Sequence, residues 1–328
     1  MSLNLDVIVT RGAMTESHHR VHAAVVDAAG VMRDAARNPA VVTVWRSCAK
    51  PFQTMPFVES GGMEELEWGD DQLALACASH GGEPEHVALV GAMLDAMGLE
   101  EGDLACGAHE PLSKRGARVL QHAGAHPTRL HNNCSGKHAA MLAFARASGW
   151  PTLGYEQRLH PVQQRALSSV AYWAGVPAEQ ITQTTDGCGV VAFGLSLEAM
   201  ARAFARLAAA AKRGAEVPGR IVHAMTTRPF LVGGTDRFDT VLMEETGGAI
   251  LSKVGAEGVH TVAILDEQIA FALKVEDGST RAQHPAVLRL LQLFGALPDP
   301  LPPRLAPFLC MPIQNTRGEV VGEIRPAE

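Results

Sequence analysis

Aromatic side chains are scarce in this 328-residue chain, at 5% of the residues, with two Tyr and four Trp. Lysine is scarce as well: Lys50, Lys114, Lys137, Lys212, Lys253 and Lys274 are the only six among 28 basic residues. No window approaches the ~18 uninterrupted apolar residues that a membrane span requires. The opening segment Met1-Ser2-Leu3-Asn4-Leu5-Asp6-Val7 lacks the basic and apolar regions of a secretory leader. A soluble, cytoplasmic protein with no membrane partner is therefore expected. Positive charge is not in excess either. The formal net charge is −7, which leaves no basic surface to neutralise a nucleic-acid backbone and points to small molecules as partners. The six cysteines are spread too thinly for a disulfide scaffold and read as reduced thiols.

What is present is a composition of 47% hydrophobic residues with 32 Gly and 19 Pro, that of a compact, loop-rich protein. The length exceeds what one core usually supports, so two lobes are expected. Residues 3–10 and 20–27 read as an opening pair of strands, separated by the turn-like Arg11-Gly12 and Glu16-Ser17-His18-His19; Val41–Trp45 reads as a third. From Pro51 to about Gly248 the pattern is helical, with apolar residues at three and four spacing in Pro84–Met97, His138–Ser148, Pro161–Ala174 and Leu197–Lys212. Strands return at Val259–Leu265 and Gln268–Val275, joined by a hairpin at Asp266-Glu267. A helix from Pro285 to about Phe294 and a strand pair around Asn315–Gly318 close the chain. The expected fold class is α+β. Residues 1–46 and 249–328 would form one antiparallel sheet, residues 47–248 an inserted, mostly helical lobe, and the cleft would lie between them.

The sparse lysines sit beside reactive groups. In Arg46-Ser47-Cys48-Ala49-Lys50-Pro51 a serine ends a strand and a lysine follows three residues on, so the two side chains share a helical face. That is a nucleophile with its base, provided that burial and a second cation let Lys50 give up its charge. Ser79, in Ala78-Ser79-His80-Gly81-Gly82, lies on a sharp loop. Lys253 stands just before a strand among small residues that let a substrate approach. Each alone reads more simply as a turn serine or a surface lysine; their order raises the odds. Cys134 and Lys137 crowd the start of a helix, and Cys188 sits between Gly187 and Gly189. A metal ligand or a nucleophile held at a bend explains such a cysteine, although two cysteines are too few for a closed structural zinc site.

The order Ser47-x-x-Lys50, Ser79, Lys253-Val254-Gly255 resembles the motif series of serine β-lactamases and penicillin-binding proteins. More closely, the chain resembles the L-asparaginase family of the Rhizobium type. The matching segments are Arg11-Gly12 with Glu16-Ser17-x-His19, Arg46–Pro51, Ala78-Ser79-His80, His131-Asn132-Asn133-Cys134-Ser135-Gly136-Lys137-His138, Asp186-Gly187-Cys188-Gly189 and Lys253-Val254-Gly255. The resemblance implies a β-lactamase-like fold and hydrolysis of L-asparagine to L-aspartate and ammonia through an acyl-enzyme. Ser47 would attack, Lys50 would take its proton, and Ser79 with Lys253 would relay a proton to the leaving ammonia. One oxyanion donor would be the Ser47 N–H and the other would come from the strand after Lys253. Arg46, His80, Asn133 and Asp186 would contact substrate. Zinc would be bound by Cys134, Lys137 and Cys188, with His138 behind them, and a homodimer is expected. A glutaminase, a β-lactam-hydrolysing relative, or a non-catalytic zinc-stabilised amino-acid-binding protein are the alternatives.

Overall fold

Strands from the two ends of the chain lie side by side in a computed structural model that describes residues 3–327. Met1, Ser2 and Glu328, which belong to the expected terminal segments, lie outside the described residues. In chain order the strands are β1 (Val7–Arg11), β2 (Met14–His19), β3 (Val21–Asp27), β4 (Met32–Ala36), β5 (Val42–Val44), β6 (Thr182–Thr185), β7 (Val191–Ser196), β8 (Ile250–Val254), β9 (Val259–Ile264), β10 (Ile269–Val275), β11 (Met311–Gln314) and β12 (Val320–Pro326). The central sheet has the order β4-β3-β10-β9-β8, with β3 and β10 antiparallel from Val21 opposite Val275 to Asp27 opposite Ile269. Helices fill most of the chain between β5 and β8. The α+β architecture, with an antiparallel sheet drawn from both ends around a helical insert, is the expected one.

The strands β3 and β10 are apolar nearly throughout because the sheet is covered on both faces. Ala24, Val26, Ala270 and Ala272 join the larger core with the Leu197–Lys212 helix. Val21, Val25, Phe271 and Leu273, at the alternate positions, join a second core with the Thr280–Leu293 helix. Small residues on one face let the alanine-rich Leu197–Lys212 helix approach closely, and larger ones fill the other.

The structure departs from the sequence reading in several places. Glu16-Ser17-His18-His19, read as turn-like, belongs to β2. It pairs with β1 in a separate four-stranded sheet of order β11-β12-β1-β2, so the two opening strands are not partners. The helical block contains β6 and β7, which make a small sheet with β5. Thr182-Gln183-Thr184-Thr185 has no apolar face to announce a strand. The Thr280–Leu293 helix begins five residues before Pro285, which sits inside it. The helix expected at His138 begins at Ser135, which places Lys137 and His138 in its first turn.

One aromatic cluster lies where the site will be built. Trp45 and Phe52 stack at 5.1 Å, Phe204 packs edge-on to Phe52 at 5.5 Å, and the Trp45 Nε1–H donates to Thr261 Oγ1 of β9 at 3.1 Å. This cluster pins the turn Arg46–Ala49 between the sheet and the helices. Replacing Phe52 by Ala is expected to lower the unfolding free energy by about 3–5 kcal/mol in urea titrations; a loss below about 1 kcal/mol would mean that the cluster is not what holds the turn.

Candidate active site

Three elements converge on one cleft of about 550 Å³. The turn Arg46–Ala49 supplies Ser47 and the loop after the Asp70–Ala76 helix supplies Ser79, both of which line the cleft, and β8 supplies Lys253, fully buried behind Ser79. Lys253 lies inside a strand and not before one, as the sequence reading had it. The polar Ser252 and Lys253 on an edge strand hide the alternation. Leu251 faces the larger core, so Lys253, two residues on, points the same way. Cys48 fastens the turn to this strand: its thiol donates to the Lys253 carbonyl at 2.9 Å. Burial raises the Cys48 thiol to about 12, so it keeps that proton. Gly255 makes the contact possible, because a Cβ there would lie 3.0 Å from Cys48 Sγ.

The centre of the site is the Ser79 hydroxyl. Lys253 Nζ donates to Ser79 Oγ at 2.8 Å and Lys50 Nζ donates to it at 3.2 Å, and both lysines are fully buried. Lys50 also donates to the Ala78 carbonyl and, at 3.4 Å, to the Asn133 carbonyl. Two ammonium donors occupy both lone pairs of one hydroxyl. The remaining donor of Ser79 is its own proton, and Ser79 lines the cleft. Desolvation, reinforced by the charge of Lys50 and opposed by Asp239, lowers Lys253 from 10.5 to about 8. Asp239 is buried and ionised; it accepts from Ser252 at 2.7 Å and from the Val254 N–H at 2.8 Å, with His260 at 3.1 Å. Ser47 is half-buried at the cleft wall, and its hydroxyl has no hydrogen-bond partner among the described residues. Arg46, just before it, takes φ +54°. That left-handed backbone is costly for a residue with a Cβ.

The second cluster is sulfur-rich. Cys134 and Lys137 come from the start of the Ser135–Ala147 helix and Cys188 from the tight turn between β6 and β7, where Gly189 has φ +94°. Lys137 Nζ lies 3.1 Å from Cys188 Sγ. The Cys134 thiol donates to Cys188, which with Lys137 lowers the Cys188 thiol to about 5, while Cys134 is raised to about 12. A buried thiolate, a thiol and an ammonium that, despite burial, the two sulfurs and Asp186 hold above its ordinary value thus share one spot; with Cys134 and Lys137 deprotonated they are a donor set of the soft, nitrogen-and-sulfur kind that zinc prefers. Cys106, which the sequence reading passed over, interacts electrostatically with both thiols. His138 lies behind the cluster with Nδ1 against the Tyr155 hydroxyl, and its Nε2 is buried without a partner among the described residues.

Arg46, Asn133 and Asp186 line the cleft as expected. Arg46 is already engaged, its Nε donating to Asp186 Oδ1 at 2.8 Å. Burial works to raise the Asp186 carboxyl, but Lys137 and Arg46 outweigh it and hold Asp186 below its ordinary value. His80 does not line the cleft. It is fully buried, accepts from the Gly82 N–H through Nδ1 and bonds Ser135 through Nε2, so both ring nitrogens are spent on holding the loop. The N–H groups of Val254 and Gly255 are committed to Asp239 and to the Val259 carbonyl. They cannot serve as the expected oxyanion donor after Lys253; Ala256, which lines the cleft, is the next residue along. His109, Arg237, Gln283 and His284 complete the walls and were not singled out from the sequence. The dense run Gly233-Gly234-Thr235-Asp236-Arg237-Phe238-Asp239 was the signal that could have found Arg237.

The chain matches the family described as L-asparaginase II over residues 7–326. Among solved structures, Mglu in its native form is similar at 14% identity with a TM-score of 0.49 over 84% of this chain and 64% of that one. Mglu in the presence of 4.3 M NaCl is similar at 15% identity with a TM-score of 0.48, over 84% of this chain and 61% of that one. The chain therefore spans less than two thirds of Mglu. A beta-lactamase from Mycobacterium bovis is similar at 12% identity with a TM-score of 0.38, covering 84% of this chain and 95% of that one. No curated protein sequence matches the chain.

The lowered Lys253 has a thermodynamic signature. Unfolded, it keeps its proton up to about 10.5; folded, only up to about 8. Between those values the unfolded state binds more protons, so this residue adds stability as pH rises. Relative to a Lys253→Met variant, the wild-type chain is expected to gain on the order of 3 kcal/mol in urea titrations from pH 8 to pH 10.5. A difference that stays flat across that window would return Lys253 to its ordinary value.

Proposed function

The chain belongs to the L-asparaginase II family, and on that premise we propose that it hydrolyses the side-chain amide of L-asparagine to L-aspartate and ammonia through an acyl-enzyme on Ser47. What supports the reading is the Ser79 hydroxyl held by two fully buried amines, 2.8 and 3.2 Å away, at the wall of the cleft that Ser47 enters. Two positive charges in one desolvated pocket repel each other, so the second proton of the pair is the costly one to keep. Lys50 first hands a proton through Ser79 to the neutral Lys253, and then, one helical turn from Ser47, takes the hydroxyl proton as Ser47 attacks the amide carbon. Ser79 passes a proton, resupplied through Lys253, to the nitrogen as the C–N bond breaks and ammonia leaves. Water then attacks the ester carbonyl; the same amines take its proton and return one to Ser47, which releases L-aspartate. The Ser47 N–H, with the backbone of Ala256 opposite, faces the developing oxyanion.

Zinc fits the sulfur-rich cluster, with Cys134, Lys137 and Cys188 as the groups that would hold it and Asp186 beside them. Bound there, the ion would supply a fixed positive charge at the cleft wall. The serine and not a metal-activated water would remain the nucleophile. His138, held by Tyr155, would set the packing of the helix turn that carries Lys137.

Ammonia release with L-asparagine, L-glutamine and a chromogenic β-lactam tests the reading. Ser47→Ala should release no measurable ammonia, and Lys50→Met should fall by about 10²–10⁴ in kcat with the fold unchanged by circular dichroism. A Ser47→Ala variant that works at the wild-type rate removes Ser47 from the mechanism. Elemental analysis should find zinc in the wild-type protein and little in Cys188→Ala; wild-type protein purified with zinc present that carries none would refute the metal site.

A further inference from the structure

The other lysines and arginines in and just behind the cleft are spoken for: Lys50 and Lys253 by Ser79, Arg46 by Asp186, Lys137 by Cys188. Arg237 is the exception. It lines the cleft with Ser47, Ser79 and Val254 and also the adjoining pocket of about 230 Å³ bounded by Asp236, His284 and Phe308. Among the described residues its guanidinium has neither a hydrogen bond nor an ion pair. The two carboxylates whose charge it feels are Asp239 and Glu83. Asp239 is filled by Ser252, Val254 and His260, and Glu83 by Arg115 at 2.6 Å and by the Thr235 N–H and hydroxyl, each at 2.7 Å. A half-buried guanidinium without a protein partner, facing the cleft, is free to meet a ligand, and its planar fork matches a carboxylate with two parallel bonds.

The stem of Arg237 is also held in place. Its residue caps the Phe238–Glu245 helix, and the next ring, Phe238, stacks on His284 at 4.3 Å. A Cβ on Gly234 would meet Glu83 Oε1 at 2.6 Å, so glycine is what lets the Glu83 carboxylate seat the loop that carries Arg237. Building on the asparaginase reading, we infer that Arg237 is the specificity-determining anchor for the α-carboxylate of the substrate. It makes the cleft select free amino acids carrying a side-chain amide over amides whose α-carboxyl is esterified or part of a peptide. A substrate without that carboxylate would bury the guanidinium unpaired, which is a penalty as well as a lost attraction.

The test compares L-asparagine with its α-methyl ester, following ammonia from the side-chain amide, in wild type, Arg237→Gln and Arg237→Lys. Wild type should prefer the free acid. Arg237→Gln should raise KM for L-asparagine by about 100-fold with a smaller change in kcat, leave the ester nearly unaffected and so erase the preference, while Arg237→Lys restores part of it. Unchanged KM and unchanged preference in Arg237→Gln overturn the inference. A wild-type protein that releases no ammonia from L-asparagine overturns the asparaginase reading instead. Calorimetric binding of L-aspartate, which needs no turnover, then decides Arg237: binding weakened about 100-fold by Arg237→Gln supports the anchor, and binding that is absent or unaltered by the substitution refutes it.

Discussion

Two buried amines reaching for one hydroxyl is the constraint from which the rest of the structure follows. Each ammonium removed from water is costly, and the cost is offset only where hydrogen-bond acceptors meet it. Ser79 Oγ and the carbonyls of Ala78, Asn133 and Val254 supply those acceptors, and they come from three separate parts of the chain. The loop carrying Ser79 must therefore sit against the helix start carrying Asn133 and against the edge strand β8. Asp239, one layer behind Lys253, offsets some of the repulsion and fixes the strand through the Val254 N–H.

The fold delivers this convergence by placing an edge strand beside a helical wall. The sheet is covered on both faces, so a charged side chain is accommodated most readily at a margin, and β8 is one of its two edges. The Cys48 thiol and the aromatic cluster of Trp45, Phe52 and Phe204 seat the Ser47 turn against β8. The left-handed Arg46 holds that turn in a conformation its own side chain disfavours, and the pair with Asp186 helps keep it there. The nucleophile, the amines and the sulfur-rich cluster are thus tied together by neighbours in sequence: Arg46 to Asp186, and Asp186 to Cys188.

Much of this was legible in the chain itself, and the exceptions have physical causes. Helices opened by Pro or Ser and closed at a turn, such as Pro161–Ala174 and Leu197–Lys212, were bounded correctly because the punctuation is strong. The β9–β10 hairpin was plain from two apolar runs flanking Asp266-Glu267. Strands with polar faces were not, as β2, β6 and the Ser252-Lys253 half of β8 show, since alternation carries no signal when neither face is apolar. Ser47, Lys50, Ser79 and Lys253 stood out because serine and lysine in that order are unusual in a lysine-poor chain, and the structure brings both lysines to Ser79. Arg237 was missed because an arginine in an arginine-rich chain looks like surface until its partners can be counted. His80 was misplaced for the opposite reason: a histidine inside a motif suggested contact with substrate, while its two ring nitrogens are occupied by Gly82 and Ser135.

The central claim is that one of the two amines sharing Ser79 gives up its proton near physiological pH, and nuclear magnetic resonance of isotopically labelled lysine side chains tests it most directly. Six lysines make assignment by single substitution practical. The Lys253 resonance should titrate at about 8 and move when Ser79 is replaced by Ala. A Lys253 resonance that holds its proton beyond pH 10, indifferent to that replacement, would contradict the account.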